Sequence, residues 1–264
     1  MRSYFKQQSL FRLQLNKRYY LELTSGNFIK LNDAEGNPLT LYESDYNKLH
    51  AYLKSNAINH FSELSTLDKL IHLEKAKVRV TRYFTDDHLQ QYELNIKASM
   101  ENKLTDIISQ NGMKLTKGGH QNCVVVYQNH VYMHPKIRCV TGDISHEVLK
   151  EPAENKQPGT IGVSHSSLCH GRQVSFAGSF VYDDKKGWTV ENTSGHYITR
   201  AYQVKELLNN FDKNGLDLSK LTIKFYIPNN PTVIPTVLSD SDYHIIYENA
   251  ADYLNRMQNS QRPR

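Results

Sequence analysis

Near residue 112 the spacing of apolar residues changes, and a fold of one secondary-structure class cannot satisfy both spacings. Before the change, apolar residues recur every three or four positions: Tyr46, Leu49, Tyr52 and Leu53, then Leu67, Leu70, Ile71 and Leu73. That period gathers them on one face of a helix. After it, residues 123–127 form a β-branched run, Gln128-Asn129-His130 reads as a turn, and residues 131–134 resume the run. This is the pattern of a hairpin. The expected fold class is therefore α+β: a helical N-terminal half, residues 1–112, packed with or followed by a mainly antiparallel sheet with flanking helices, residues 113–264. One core or two are both compatible with the pattern.

Finer features follow from caps and turns. Residues 18–31 read as strand around Ser25-Gly26-Asn27, and Ser44 and Ser65 (or Thr66) are expected helix N-caps. Val78-Arg79-Val80-Thr81 interrupts the helical pattern. A long helix is then expected from Asp86 or Asp87, stopping at Gly112. Further strands are expected over 160–163, 174–182, 187–191 and 221–227. Helices are expected over 202–211 and from Ser241 or Asp242 to about Met257, and the polar stretch 141–160 as an exposed loop.

Composition excludes several classes. A chain of 264 residues buries a sizeable core without disulfides. The net charge of +5 is mild, and short basic clusters such as Lys17-Arg18 do not form a phosphate-tracking tract, so no nucleic-acid partner is expected. Three cysteines without a CxxC fit reduced thiols. No apolar run approaches the roughly 20 residues of a membrane span. The first residues lack a continuous apolar stretch, so no signal peptide is expected, which leaves export by another route open.

Seven of the 12 histidines lie between 120 and 200: His120, His130, His134, His146, His165, His170 and His196. Histidine is the usual acid, base or metal ligand near neutral pH. Two clusters of small and hydroxyl residues each surround one of them. The first is Gly162-Val163-Ser164-His165-Ser166-Ser167-Leu168, and the second is Glu191-Asn192-Thr193-Ser194-Gly195-His196-Tyr197. Serine hydroxyls and a glycine-permitted backbone can cradle phosphate oxygens, and a histidine beside a serine can serve as its base. The same residue types also simply build turns. A metal site is not expected, because His130 and His134 lack a third ligand at recognisable spacing. Cys169 beside His165 and His170 is a further nucleophile candidate, without local support for a lowered thiol pKa.

Ser164-His165-Ser166-Ser167, Gly171, Ala177-Gly178, Gly187, Trp188, Asn192 and Ser194-Gly195-His196-Tyr197, followed by Gly215-Leu216-Asp217-Leu218-Ser219, resemble a domain shared by bacterial effectors and toxins. The pattern is similar to that of plant IQ-motif calmodulin-binding proteins and of Legionella effectors that transfer AMP or cleave ATP when bound to host actin. The resemblance covers residues 127–227 and is specific only as a combination. It implies a secreted virulence effector, moving from the bacterial cytoplasm into a host cell and handling nucleotide or phosphoryl groups, with ATP and Mg²⁺ as cofactors. Actin or calmodulin would be the host partner. By that analogy the catalytic residues are His196, Ser166 and Ser167, and the substrate-binding residues are Ser164, His165, Ser194, Gly195, Tyr197 and Arg200. The related pattern carries a glutamate four residues after its histidine, and here that position is Arg200, which suits a phosphate. A non-catalytic module that grips a host protein is the alternative.

Overall fold

The structure is a computed structural model and describes residues 19–20, 23–24, 27–28, 32, 36–41, 43–118, 121–139, 161–194, 197, 199–229 and 243–260. The protein is α+β, and its chain forms two compact units that interleave in sequence. The first comprises Met1–Gln90 and Lys136–Gln173, and the second comprises Gln91–Pro135 and Val174–Arg264. The change of apolar spacing at 112 is therefore not the division between units. Each unit has its own sheet, and strands from distant stretches of sequence complete both.

In the first unit, β1 (Tyr19–Tyr20), β4 (Leu39–Leu41), β5 (Val80–Arg82), β8 (Ile137–Cys139) and β9 (Ile161–Val163) form a five-stranded sheet in the order β1-β4-β5-β9-β8. A two-stranded ribbon joins β2 (Leu23–Thr24) to β3 (Asn27–Phe28). The N-terminal region is thus not simply helical. The β-branched stretch around residue 80 is a sheet strand, antiparallel to β4 and parallel to β9. Helices α1 (Glu43–Ser55) and α2 (Thr66–Lys75) contribute Leu49, Leu53, Leu70 and Leu73, which pack with Leu39, Leu41, Val80 and Ile161. Leu67, expected on that face, is 57% exposed. Ser65 caps α2 by accepting a hydrogen bond from the Asp68 N–H at 3.1 Å, a contact contributing about 1 kcal/mol.

The expected long helix after Asp86 is broken. Helix α3 (Asp86–Gln91) ends, and α4 (Ile96–Glu101) begins after Asn95 accepts from the Ala98 N–H at 3.0 Å. Between them the backbone bonds to a strand edge: Leu94 N–H donates to Val131 O at 2.8 Å, and Met133 N–H donates to Tyr92 O at 3.0 Å. Lys103 and Leu104 then adopt positive φ, which ends any helix there. Tertiary hydrogen bonding overrides a pattern that reads as helical along the chain.

The second unit is a six-stranded sheet in the order β13-β12-β11-β10-β6-β7. Its strands are β6 (Asn122–Tyr127), β7 (His130–Pro135), β10 (Phe176–Asp183), β11 (Gly187–Glu191), β12 (Thr222–Pro228) and β13 (Tyr243–Asn249). The expected hairpin is present: Gln128 and Asn129 both have positive φ, as the two-residue turn between β6 and β7 requires. All neighbours are antiparallel except β11 and β12, which run parallel. Parallel neighbours need a crossover, and helix α5 (Val204–Lys213) supplies it. Gly215, at φ +80°, turns the chain out of that helix.

One face of this sheet carries Val124, Val126, Val131, Met133, Phe176, Phe180, Trp188, Val190, Ile223 and Phe225. They pack with Leu207, Leu208 and Phe211 of α5 and with Tyr253 and Leu254 of α6 (Ala250–Asn259). The expected last helix is shorter at its start than the sequence indicates, because residues 243–249 pair along their whole length with β12. Two isoleucines and two tyrosines favour a strand there, and Asn249 then caps α6 by accepting from the Ala251 N–H at 3.0 Å.

Gly178 sits where the sheet admits no side chain. A Cβ there would collide with the Glu191 carbonyl oxygen and lie 2.5 Å from the Phe176 ring. Gly178→Ala is expected to lower unfolding stability by about 1–3 kcal/mol, read as an earlier urea midpoint with an unchanged m-value.

Candidate functional site

The first hydroxyl cluster lies in the first unit, on a 3₁₀ turn over His165–Cys169. Ser164 N–H donates to Ser167 Oγ at 2.9 Å, and Ser167 N–H donates back to Ser164 O at 2.9 Å. The Ser164 and Ser166 hydroxyls share a hydrogen bond of 3.1 Å. His165, Ser166 and Ser167 are buried, and Phe84 N–H donates to Ser167 O at 3.2 Å. The hydroxyls expected to meet a phosphate are thus engaged within their own turn. Cys169 is also fully buried, with its Sγ 3.4 Å from His165 O. That is the setting of an inert thiol.

The second cluster belongs to the second unit, so neither unit by itself brings Ser166 or Ser167 together with residues 194–200. Gly195 and His196 lie outside the described residues. The neighbouring segment leaves the carboxyl end of β11, beside the parallel strand β12. This is the end of a parallel pair where open sheets hold ligands. Asn192 ties the segment down. Its amide donates to Thr199 O and to Tyr226 O, each at 3.1 Å, and it accepts from the Tyr226 N–H at 2.8 Å. Thr199 Oγ1 donates to Ala177 O. Ser194 Oγ accepts from the Tyr197 N–H at 3.2 Å, and Arg200 N–H donates to Gln203 Oε1 at 2.9 Å. Tyr197 is buried, while Ser194 and Arg200 are half-buried.

The sheet face turned away from α5 and α6 joins His134 and Glu191 to residues that the sequence did not single out. Strand register sets six side chains in one line across all six strands: His134, Cys123, Ser179, Glu191, Lys224 and Tyr247, each opposite the next. The line runs from buried to open. His134, Cys123, Ser179 and Glu191 are buried, the Lys224 side chain is 19% exposed, and Tyr247 is 49% exposed. His134 Nδ1 lies 2.7 Å from Pro135 O. A carbonyl only accepts, so this nitrogen carries the proton.

At the centre of the line is a polar group. Lys224 Nζ donates to Glu191 Oε1 at 3.0 Å. Thr193 Oγ1 is 3.3 Å from both Glu191 Oε2 and Ser179 Oγ, and Ser179 Oγ donates to Thr193 O at 3.3 Å. Burial works against the Lys224 charge, but hydrogen bonds with Tyr226 and Glu191 outweigh it and hold the ammonium pKa above its ordinary value. Lys224 is therefore a cation throughout the neutral range. Its Nζ stands 4.6 Å from the Tyr226 ring centroid, and Lys186 Nζ stands 3.2 Å from that of Tyr247. The Glu191 carboxylate is thus contacted by one ammonium and one hydroxyl, with Ser179 beside Thr193 and the Tyr226 ring beside Lys224. Such a group can bind an anionic ligand with a flat apolar part, and it can polarise a hydroxyl. Among the described residues, no group of three His, Cys, Asp or Glu side chains is placed to hold a metal ion.

The polar phase of β12, with Thr222, Lys224 and Tyr226 alternating against Ile223, Phe225 and Ile227, is readable in the sequence. Its pairing with Glu191 is not, because the crossover through α5 decides it. No family model matches the chain, and no curated protein or solved structure matches it either.

In the first unit, His170 Nε2 lies 3.0 Å from Asp86 Oδ1. Burial dominates over this attraction and lowers the His170 pKa below the ordinary 6.5. Below that pH the unfolded chain takes up a proton that the folded chain resists, so stability falls on acidification. His170→Asn tolerates the same left-handed backbone and removes the titration. Between about pH 7.5 and about pH 5.5, the wild type is expected to lose more unfolding free energy than the variant, measured by urea titration.

Proposed function

We propose that the polar face of the second unit's sheet is the working surface of this protein, and that it handles a nucleotide or another phosphoryl compound. The observation that carries this reading is the group formed by Ser179, Thr193, Glu191 and Lys224, at the carboxyl end of β11, where Glu191 meets Lys224 of the parallel strand β12. An ion pair largely withdrawn from water is costly to maintain, and a hydrophobic pair would stabilise a sheet as well. Its presence beside two hydroxyls is the kind of placement that a binding site requires.

In this reading the Lys224 ammonium binds phosphate oxygens and stabilises charge that develops on them. Glu191 orients Lys224 and accepts from the Thr193 hydroxyl. The rings of Tyr226 and Tyr247 offer stacking area to a base. His196 is the proposed acid or base, and Arg200 a second phosphate contact, on the strength of the sequence pattern. Ser166 and Ser167 receive a structural role in their own turn. ATP is the proposed substrate and Mg²⁺ its counter-ion. Glu191 already accepts from Lys224, so the ion's ligands would come chiefly from the phosphates, as is usual for Mg²⁺. The pattern of residues 164–197 further supports a secreted effector that acts inside a eukaryotic host cell.

A second reading is a non-catalytic module that grips a host protein. It is favoured by Arg200 at the position of the related pattern's glutamate, and by the inward engagement of Ser166 and Ser167. Actin and calmodulin are its candidate partners by resemblance.

The test is incubation with labelled ATP, Mg²⁺ and eukaryotic lysate, using wild type, Lys224→Met, His196→Ala and Ser166→Ala. Wild type is expected to release pyrophosphate or label a protein. Lys224→Met and His196→Ala should lose about 100-fold or more, and Ser166→Ala should retain activity. A folded wild type that neither turns over ATP nor labels any protein would overturn the enzyme reading. Saturable binding of purified actin or calmodulin without turnover would establish the second.

A further inference from the structure

Strand β13 (Tyr243–Asn249) closes the second unit's sheet on one side. Natural sheet edges are blunted by lysine, proline, a bulge or brevity, because an open edge recruits another strand. Among the described residues this edge has none of these devices. Its sequence is Tyr-His-Ile-Ile-Tyr-Glu-Asn, and its seven residues pair with β12 without a break in register. Its centre is apolar and open to solvent: Ile245 is 44% exposed, Ile246 46% and Tyr247 49%. They are three of the five exposed large apolar side chains among the described residues.

The direction of the backbone groups along this edge follows from one bond. Ala250 N–H donates to Leu221 O at 3.0 Å, which continues the β12–β13 register by one step. In an antiparallel ladder, hydrogen-bonded and non-hydrogen-bonded pairs alternate. Glu248, Ile246 and His244 therefore direct their N–H and C=O groups at β12. Ile245 and Tyr247 direct theirs away from the sheet, towards any added strand.

We infer that a second copy of this chain pairs with β13, antiparallel, about a two-fold axis through Ile246. Three observations select this occupant and this register. The outward backbone groups belong to odd-numbered residues, so an antiparallel partner must set odd residues opposite odd ones, and Ile245 opposite Tyr247 satisfies that. Centring on Ile246 pairs all seven residues, whereas the neighbouring two-fold registers, centred on Ile245 or Tyr247, leave strand ends unmatched. The same register sets His244 opposite Glu248 twice, an imidazole facing a carboxylate. Glu248 already accepts from Arg256 at 2.7 Å and 3.2 Å, and a carboxylate has capacity for a further donor. The strand is thus complementary to itself in apolar content, in hydrogen-bonding phase and in its polar pair. The two sheets become one continuous sheet, with Ile245 of the second copy extending the line of side chains that ends at Tyr247.

Two strands of this length bury less than a standard interface, so the dimer forms in the range of about 1–100 µM. The test uses the full chain. Sedimentation velocity across about 1–500 µM is expected to show a monomer–dimer equilibrium for wild type. Ile246→Lys sets two like charges opposite each other across the axis and should weaken association at least about tenfold, with an unchanged melting curve. Register is read separately with Ile246→Cys and Ile245→Cys. Non-hydrogen-bonded pairs bring Cα atoms to about 4.5 Å, within disulfide range, so Ile246→Cys should cross-link to itself under mild oxidation. Ile245→Cys, which faces Tyr247 of the other copy, should cross-link no more than wild type. A wild type that stays monomeric at about 500 µM, a dimer unaffected by Ile246→Lys, or preferential cross-linking of Ile245→Cys would each overturn the inference.

Discussion

The parallel pairing of β11 with β12 is the constraint from which most of the second unit follows. Two parallel neighbours cannot be joined by a turn, so the chain must leave the sheet, run back along one face and re-enter. Helix α5 makes that return, and its apolar residues Leu207, Leu208 and Phe211 become the cover for Phe180, Trp188 and Ile223. The same pairing sets Glu191 opposite Lys224. It also leads the chain out past the carboxyl end of β11, where Asn192 satisfies three backbone groups, one on Thr199 and two on Tyr226. Core, crossover and polar group are thus consequences of one strand choice.

The two faces of this sheet divide the work. The face under α5 and α6 is mainly apolar and supplies the hydrophobic stabilisation, at about 25 cal/mol per Å² of apolar surface removed from water. The opposite face carries a thiol, an imidazole, hydroxyls, a carboxylate and an ammonium in register. Burying such groups is unfavourable unless each finds a partner. Here Glu191 finds Lys224 and Thr193, Ser179 finds Thr193, and His134 finds Pro135 O. In the first unit the polar groups are used differently. Ser164, Ser166 and Ser167 satisfy one another inside a short turn, and His170 is held by burial beside Asp86.

Much of the fold is legible in the order of residues. The β6–β7 hairpin follows from a β-branched run on each side of Gln128-Asn129, since that turn is a local decision of a few dihedral angles. The α2 cap at Ser65 and the end of α5 before Gly215 are equally local. The α+β class follows from the two apolar periods alone. Non-local decisions are less legible. Residues 92–110 read as helix, yet Tyr92 and Leu94 bond to β7 instead. Residues 243–249 read as the start of a helix, yet they complete an edge beside β12. In both places backbone hydrogen bonds offered by a distant strand outcompeted a weak local preference.

The candidate site shows the same division. The sequence by itself determined that residues 192–195 are small, polar and placed just after a strand, because composition and turn chemistry are properties of neighbours along the chain. It also determined that Lys224 lies on the polar phase of its strand. Only the tertiary structure decided that Glu191 and Lys224 meet, that Ser179 and Thr193 join them, and that the two hydroxyl clusters belong to different units. The physical reason is register. A strand's alternation fixes which side chains share a face, but which strand lies beside it, and at what offset, is set by crossovers and packing that span the chain.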